Sequence, residues 1–231
     1  METSLSPDPG KLLRTSAGDF PLNEYRMRLG GREWRILHVG SAISYGDEKN
    51  FLSGIAEHLP YGVTLWPAAI ALAHDVACRA GAFAGKRVLE LGSGAGLPGI
   101  VAASFGGQVM QTDRYEIVMS VCKRNAAING LKTIEYNLAD WVMWDNPDQY
   151  DWILGSDILY GEEMHTHLRR IFESNLTAGG RVLLSDPFRT ASMKLLEAME
   201  KDGWKITVAK WNVGEEEPLR SIAVYELEPP R

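Results

Sequence analysis

The chain has 231 residues, of which 45% are hydrophobic and 23% are charged, the proportions of a globular protein that can bury one full core. Its formal net charge is −6 and it has no long run of Lys or Arg, which argues against a nucleic-acid partner and favours cationic ligands and basic protein segments. Two cysteines without paired spacing, and the lack of a signal-peptide or membrane-length apolar run, predict a cytoplasmic protein that does not bind membranes.

The first part of the chain precedes the main pattern. Residues 1–22 are rich in Ser, Pro, Gly and Asp, a composition that predicts a flexible arm. Two extended runs, 25–29 and 33–39, flank a pair of glycines and predict a β-hairpin, and the segment after it has no clear period. The predicted units are the arm 1–22, the hairpin with its connecting segment 23–62, and one domain 63–231.

From Pro67 onward, short apolar runs alternate with amphipathic stretches. This alternation is typical of an α/β, Rossmann-like fold, with a mostly parallel sheet covered by helices on both faces. Strands are predicted at 87–91, 109–112, 134–138, 152–156 and 181–185, and helices at 68–80, 98–105, 115–129, 162–175 and 192–201. Two last strands, 204–211 and 221–227, are joined by a loop with no helix, which predicts an antiparallel pair and brings the main sheet to seven strands.

The first strand of the domain runs into the glycine-rich turn Gly92-Ser93-Gly94-Ala95-Gly96, after which the chain continues as a helix. Glycines let the backbone approach a ligand closely, and the helix presents unpaired N–H groups, so this turn suits a nucleotide-like cofactor. Residues 94–99 satisfy the dinucleotide fingerprint G-x-G-x-x-G, and Asp113 follows nineteen residues after Gly94. A nicotinamide cofactor is therefore one interpretation.

Glu90 favours a different cofactor. A carboxylate within a strand that is covered on both faces needs a reason, because burying a charge is costly. S-adenosylmethionine provides one, since it carries an ammonium and a sulfonium and has no pyrophosphate. We therefore predict S-adenosylmethionine as the cofactor and S-adenosylhomocysteine as the product, with Glu90 bound to the methionine ammonium directly or through water.

Acidic and aromatic residues follow the ends of the next strands, where ligands bind in open α/β sheets. Asp113 is predicted to bind the ribose hydroxyls, Asp140 the adenine amino group, and Trp141 a ring face. An Asp after a strand is also a frequent helix N-cap, which is the alternative role of Asp113. No metal site is predicted, because His165 and His167 lie two residues apart on a predicted helix and point to different faces.

With these motifs the chain resembles the seven-β-strand S-adenosylmethionine-dependent methyltransferases, and among them the methyltransferase-like protein-lysine methyltransferases. The resemblance runs from about Tyr61 to the C-terminus. It is carried by Leu65-Trp66-Pro67-Ala68-Ala69, residues 89–99, Asp113, Asp140-Trp141, and the D-x-x-Y element Asp157-Ile158-Leu159-Tyr160. It implies a sheet in the order 3-2-1-4-5-7-6 with strand 7 antiparallel.

The resemblance also implies the site. It places cofactor contacts at Trp66, Glu90, Gly92, Gly94, Asp113, Trp141 and Ser156, to which we add Ser93, Arg114 and Asp140. Asp157 and Tyr160 are the predicted catalytic residues at the acceptor entrance. Asp157 is expected to orient a cationic acceptor, and Tyr160 to pack against its stem or to hydrogen-bond its nitrogen.

The reaction that the resemblance implies is methyl transfer from S-adenosylmethionine to a nitrogen of a protein side chain, with lysine as the first choice. The expected partner is a basic protein segment, and the chain is expected to act as a monomer. A member of the same family that resembles this chain at Tyr61-Gly62 and Leu97-Pro98-Gly99 is assigned to arginine methylation, so arginine is a second candidate acceptor. Three further functions stay open: a small-molecule methyltransferase, a cofactor-binding assembly protein without turnover and, last, a nicotinamide dehydrogenase.

Overall fold

Strands and helices alternate through most of the structure, a computed structural model that describes residues 12–15, 18–41, 61–214 and 219–230. The strands are β1 (Leu12–Thr15), β2 (Gly18–Pro21), β3 (Asn23–Leu29), β4 (Arg32–His38), β5 (Gly40–Ser41), β6 (Thr64–Leu65), β7 (Arg87–Leu91), β8 (Gln108–Asp113), β9 (Glu135–Leu138), β10 (Tyr150–Ser156), β11 (Leu176–Asp186), β12 (Lys205–Val213) and β13 (Arg220–Glu228). The helices are α1 (Pro67–Cys78), α2 (Leu97–Ser104), α3 (Glu116–Ile128), α4 (His165–Asn175) and α5 (Thr190–Lys201).

The seven strands β7 to β13 form one sheet in the order β12-β13-β11-β10-β7-β8-β9. Counted from β7, this is the predicted order 3-2-1-4-5-7-6. Strands β7 to β11 pair in parallel, whereas β13 is antiparallel to both of its neighbours. The predicted α/β, Rossmann-like fold is therefore confirmed, and the carboxyl ends of five parallel strands lie along one edge of the sheet.

Successive side chains along each strand point to opposite faces of the sheet, and helices pack on both faces. On β7, Val88 belongs to an apolar core with residues of α1, α2 and α3. Leu89 and Leu91 point the other way and join a second core with residues of α4 and α5. All three side chains are fully buried. Glu90 shares the face of Val88, and its carboxylate therefore lies inside the protein.

The N-terminal hairpin is confirmed and is bound to the main domain. Strands β3 and β4 pair in antiparallel register on either side of Gly30 and Gly31, whose φ angles are +57° and +78°. The other edge of β4 faces α3, where Asn125 accepts the N–H of Leu37 at 2.8 Å and donates to its carbonyl at 2.9 Å. One turn later, Asn129 binds the two backbone groups of Arg35 at 2.9 and 2.7 Å.

Part of the predicted flexible arm is ordered instead. Strands β1 and β2 form a second antiparallel hairpin, and Leu13 is 1% exposed in an apolar cluster with Leu22, Val118 and Cys122. Arg124 also donates to the carbonyl of Leu12 at 2.9 Å. The physical reason is that Leu13, Leu22 and the partly buried Phe20 pack against apolar side chains of α3. Residues 1–11, and residues 42–60 of the predicted connecting segment, lie outside the described residues.

Within the described residues, no helix has both the length and the apolar character that crossing a membrane requires.

Candidate functional site

The glycine turn after β7 brings bare backbone against an aromatic ring. Gly92 and Gly94 have φ angles of +60° and +55°, a conformation that side chains disfavour. A Cβ atom on Gly92 would lie 3.1 Å from Cγ2 of Ile158 and 3.2 Å from Cζ2 of Trp141. Gly92 is thus in close contact with two residues that follow other strands, and Trp141 is one of the predicted cofactor contacts.

Asp113 ties this turn to the start of α3. The backbone N–H of Gly94 donates to its carboxylate at 3.3 Å, and that of Tyr115 does so at 3.2 Å. Asp113 is 9% exposed, and burial is the main reason why its pKa is raised, although both backbone bonds oppose the shift. The carboxylate keeps further lone pairs for a ligand, because it can accept about four hydrogen bonds. The bond to Tyr115 shows that a local turn role exists beside any ligand role.

Glu90 lies beneath the turn rather than on its surface. It is 1% exposed, accepts the N–H of Gly99 at 3.1 Å, and accepts a hydrogen from Nε2 of Gln111 at 2.7 Å. The same nitrogen of Gln111 also donates to the carbonyl of Gly96 at 2.9 Å. Burial raises the pKa of Glu90 to about 7, against the hydrogen bonds that lower it. A cofactor contact of Glu90 stays a prediction, and the structure gives this residue a supporting role under the loop.

Ser93, another predicted cofactor contact, also faces inward. It is 3% exposed, and both its hydroxyl and its backbone N–H donate to the carbonyl of Thr112, at 3.1 and 2.9 Å. Its side chain therefore joins the turn to β8.

Asp140 and Trp141 follow β9 and come close to the same turn. The N–H of Ala139 donates to the carbonyl of Asp113 at 2.9 Å, which brings the end of β9 to the end of β8. Asp140 accepts the N–H of Val142 at 2.9 Å in a local turn. Trp141 is half-buried with its ring against Gly92. The predicted ring face therefore lies directly beside the glycine turn.

Asp157 is held by a residue that sequence reasoning missed. Both of its oxygens accept from Arg189, at 2.9 Å from Nε and 2.9 Å from Nη2, in a bidentate ion pair. The Asp157 side chain is 9% exposed and that of Arg189 36%. One feature of the sequence could have identified Arg189 as a partner of Asp157. Arg189 lies three residues after β11, and the carboxyl ends of β10 and β11 share one edge of the sheet.

Tyr160 follows β10 at the carboxyl edge of the sheet. It is 64% exposed, and its pKa is raised by partial burial and by the charges of Asp113 and Asp157, while Arg114 lowers it. Because Asp113 ends β8 and Asp157 follows β10, all three residues belong to the same edge of the sheet.

Three further predicted contacts lie near these residues. Trp66, directly before α1, is half-buried and lines a small cavity together with Asp157. Ser156 ends β10 and is half-buried. Arg114 is exposed, with its guanidinium 5.2 Å from the centre of the Tyr115 ring.

The chemistry of these residues fits S-adenosylmethionine. Asp113 offers acceptor oxygens of the kind that bind ribose hydroxyls. Trp141 offers an aromatic face, and Gly92 and Gly94 are half-buried and carry no side chain that would keep a ligand from their backbone. Among the described residues, no group of three or more His, Cys, Asp or Glu side chains is arranged to hold a metal ion.

Comparison with known proteins identifies the family. A family model described as lysine methyltransferase matches residues 53–202. Protein N-lysine methyltransferase METTL21A of Danio rerio is 31% identical over 180 residues, which are 74% of this chain and 71% of that protein. Histone-arginine methyltransferase METTL23 of Mus musculus is 34% identical over 113 residues, 46% of this chain and 44% of that protein. The match to this arginine relative thus spans less than half of its length.

Solved structures share the fold. A ribosomal protein L11 methylase from Lactobacillus delbrueckii subsp. bulgaricus has a TM-score of 0.55 and 24% identity, over 69% of this chain and 77% of that chain. The T. thermophilus 16S rRNA N2 G1207 methyltransferase (RsmC), in complex with AdoMet and guanosine, has a TM-score of 0.60 and 18% identity, over 90% of this chain and 50% of that chain.

Proposed function

The chain belongs to the lysine methyltransferase family, and from this premise we propose that it is an S-adenosylmethionine-dependent enzyme that methylates the side-chain nitrogen of a lysine in a protein. The observation that carries the proposal is the placement of Asp113 at the end of β8 and of Asp157 and Tyr160 directly after β10, along one edge of the parallel sheet. It puts a group suited to a nucleoside on the same edge as a group suited to a cationic acceptor.

The residues that would hold the cofactor come from three strand ends. We assign the ribose hydroxyls to Asp113 and the adenine to Trp141, with Asp140 near the adenine amino group. Gly92 and Gly94 supply backbone at the centre of the site. Trp66, Arg114 and Ser156 complete the proposed contacts. When bound, S-adenosylmethionine supplies an electrophilic methyl group on a sulfonium.

The acceptor must reach the site as a neutral amine. The reference pKa of lysine, about 10.4, makes deprotonation at pH 7 cost about 4–5 kcal/mol. Partial desolvation between Tyr160 and Asp157 lowers this cost, and a fixed orientation of the nitrogen adds the entropic advantage of a positioned pair. We assign Asp157 to positioning because it has a lone pair to offer to one N–H, and Tyr160 to packing along the lysine stem.

The form of the acceptor is part of the proposal. Asp157 and Tyr160 follow β10 at the carboxyl edge of the sheet, and Tyr160 is 64% exposed, so this position is open to the outside. This supports an acceptor that extends one side chain into the site from outside. The net charge of −6 supports a basic segment around that side chain. A monomeric state and a cytoplasmic location stay predictions.

The first experiment asks which class of molecule receives the methyl group. Tritiated S-adenosylmethionine is incubated with the protein and a cell extract, and labelled material is separated and hydrolysed. We expect label in a protein band, recovered as methyl-lysine. Label that is confined to small metabolites would refute the proposed protein substrate.

The second experiment tests the cofactor site by calorimetry with S-adenosylhomocysteine. Asp113→Asn should weaken binding by roughly 10- to 100-fold, since hydrogen bonds to a charged group contribute about 1.5–3 kcal/mol. Asp145→Asn is the matched control. Asp145 is exposed, and its substitution removes the same charge outside the proposed set of cofactor contacts. Equal affinities of both variants, or tight binding of NAD without binding of the thioether, contradict the assignment.

A further inference from the structure

The guanidinium of Arg189 forms an ion pair with Asp157, the acidic group that we assign to the acceptor. The two nitrogens of Arg189 bind the two oxygens of Asp157 at equal distances of 2.9 Å, the fork geometry of a strong ion pair. An arginine acceptor recognised by Asp157 would need the same two oxygens in the same arrangement. In this structure, both oxygens of Asp157 are already bound by the side chain of Arg189.

Backbone hydrogen bonds fix the position of each residue of this ion pair. The N–H of Asp157 donates to the carbonyl of Ser185 at 2.8 Å, and the N–H of Arg189 donates to Asp186 at 2.6 Å. Asp186 is fully buried and also accepts from the hydroxyl of Ser192 at 2.5 Å. Asp157 and Phe188 are the two non-glycine residues with positive φ in the described part of the chain, at +52° and +62°. Such backbone persists only where its surroundings impose it, and it clusters at functional sites.

Other charged groups lie near this pair. Arg189 lies 4.0 Å from the carboxylate of Asp186, and Asp186 in turn lies in the field of Asp157. Arg220, 8% exposed, lines the same small cavity as Asp157. The direct contact of Arg189 with Asp157 offsets the negative charge of that carboxylate.

We propose that Arg189 is a positioning residue that sets the acceptor class. It occupies both oxygens of Asp157 in the bidentate arrangement, so that the site binds an amine and excludes a guanidinium. The inference rests on the proposed function and extends it to the choice between lysine and arginine. A carboxylate has about four acceptor positions, so Asp157 can bind Arg189 and still accept one N–H from an amine.

The same pairing favours the reactive form of lysine. An unpaired carboxylate beside an ammonium stabilises the charged form and raises its pKa, whereas Arg189 offsets that charge. The ammonium releases its proton to water, and the nitrogen lone pair then forms the N–C bond to the methyl group. The C–S bond breaks with its electron pair remaining on sulfur, which leaves a neutral thioether.

The test compares Arg189→Gln with the wild type in labelling of extract protein by tritiated S-adenosylmethionine between pH 6.5 and 9.5. Initial rates and the ratio of methyl-lysine to methyl-arginine are measured in the hydrolysate. We expect Arg189→Gln to lose about tenfold or more of its rate at pH 7 and to stay within about threefold at pH 9.5, a shift of at least about one pH unit. Methyl-arginine should appear in this variant.

Two variants control for a structural effect. Arg169→Gln removes an arginine that bridges Glu173 and Asp202 near the other end of α5, and it should keep the wild-type profile and product. Arg189→Lys keeps the charge but cannot form the fork, so it should keep the wild-type pH profile and produce some methyl-arginine. If Arg189→Gln does not fold, this lysine variant decides the question, because a product ratio equal to that of the wild type contradicts the proposal.

Other outcomes separate this inference from the proposed function. An equal loss of rate at every pH in Arg189→Gln, with methyl-lysine still the sole product, overturns the role of Arg189 alone. A wild type that forms mainly methyl-arginine overturns the inference and leaves protein methylation intact. A wild type that labels no protein overturns the proposed function and this inference with it.

Discussion

Gln111 donates to the carboxylate of Glu90 across 2.7 Å in the interior, where neither side chain is more than 1% exposed. The same amide nitrogen reaches the carbonyl of Gly96, and the second oxygen of Glu90 accepts the N–H of Gly99. One buried carboxylate and one buried amide thus support the glycine turn and the first turn of α2 from below. The shape of the glycine turn therefore depends on two side chains in the interior.

Glu90 should make the stability of the protein depend on pH. Its pKa rises from 4.5 to about 7 on folding, mainly through burial, so the folded state binds a proton more tightly than the unfolded state. Stability from this group is therefore complete below pH 4.5 and falls as the pH rises towards about 7, by up to about 3 kcal/mol. Urea unfolding at several pH values between 4.5 and 8 measures the effect.

Glu90→Gln is the control for this prediction, because an amide resembles the protonated acid and does not titrate. We expect its unfolding free energy to vary less with pH over the same interval. The difference in unfolding free energy between the two proteins should therefore change steadily with pH. Two parallel curves would show that Glu90 titrates alike in the folded and unfolded chains, contrary to the prediction.

Gly92 should be intolerant of a side chain. In Gly92→Ala the methyl group would lie 3.1 and 3.2 Å from Ile158 and Trp141, and the φ of +60° costs a further 1–2 kcal/mol or so. We expect a loss of about 2–5 kcal/mol in unfolding free energy from the two effects together, and a weaker affinity for S-adenosylhomocysteine. Gly130→Ala is the matched control, since its φ is +73° and nothing lies within 4 Å of its added Cβ. Similar losses in both variants would speak against the close contact.

Asn125 should link the N-terminal hairpin to the cofactor loop. Its amide binds both backbone groups of Leu37 and also donates to the carbonyl of Ala95 at 2.8 Å, all in the interior. Asn125→Ala leaves three buried groups without these bonds, so we expect a loss of about 2–4 kcal/mol in stability and a weaker affinity for S-adenosylhomocysteine. Chemical denaturation and calorimetry measure the two effects.

Asn129→Ala separates the two effects of Asn125. Asn129 binds the backbone of Arg35 on the same strand, but its bonds are part-buried and do not reach the cofactor loop. We expect about 1 kcal/mol of destabilisation and an unchanged cofactor affinity. If both variants lower the affinity to the same degree, the link through Ala95 is not the cause.

The sequence alone was sufficient for features that depend on neighbouring residues. The paired glycines Gly30-Gly31 predicted the turn between β3 and β4, and the alternation of apolar runs predicted the parallel strands within a few residues. The glycine turn after β7 pointed to a nucleotide-like cofactor for the same reason. Its backbone conformation is set locally, because glycine is the residue that adopts positive φ freely.

The tertiary structure decided which side chains became partners. Arg189 lies 32 residues from Asp157, Gln111 lies 21 residues from Glu90, and Asn125 lies 88 residues from Leu37. Spacing and composition contain no information about such pairs, because they form only when separate strands and helices pack side by side. The position of Leu13 in the core was hidden in the same way by the polar residues around it. The sequence determined the elements and the edge to which the chemistry is assigned, whereas packing determined that Asp157 is paired with Arg189 and that Glu90 is bound by Gln111.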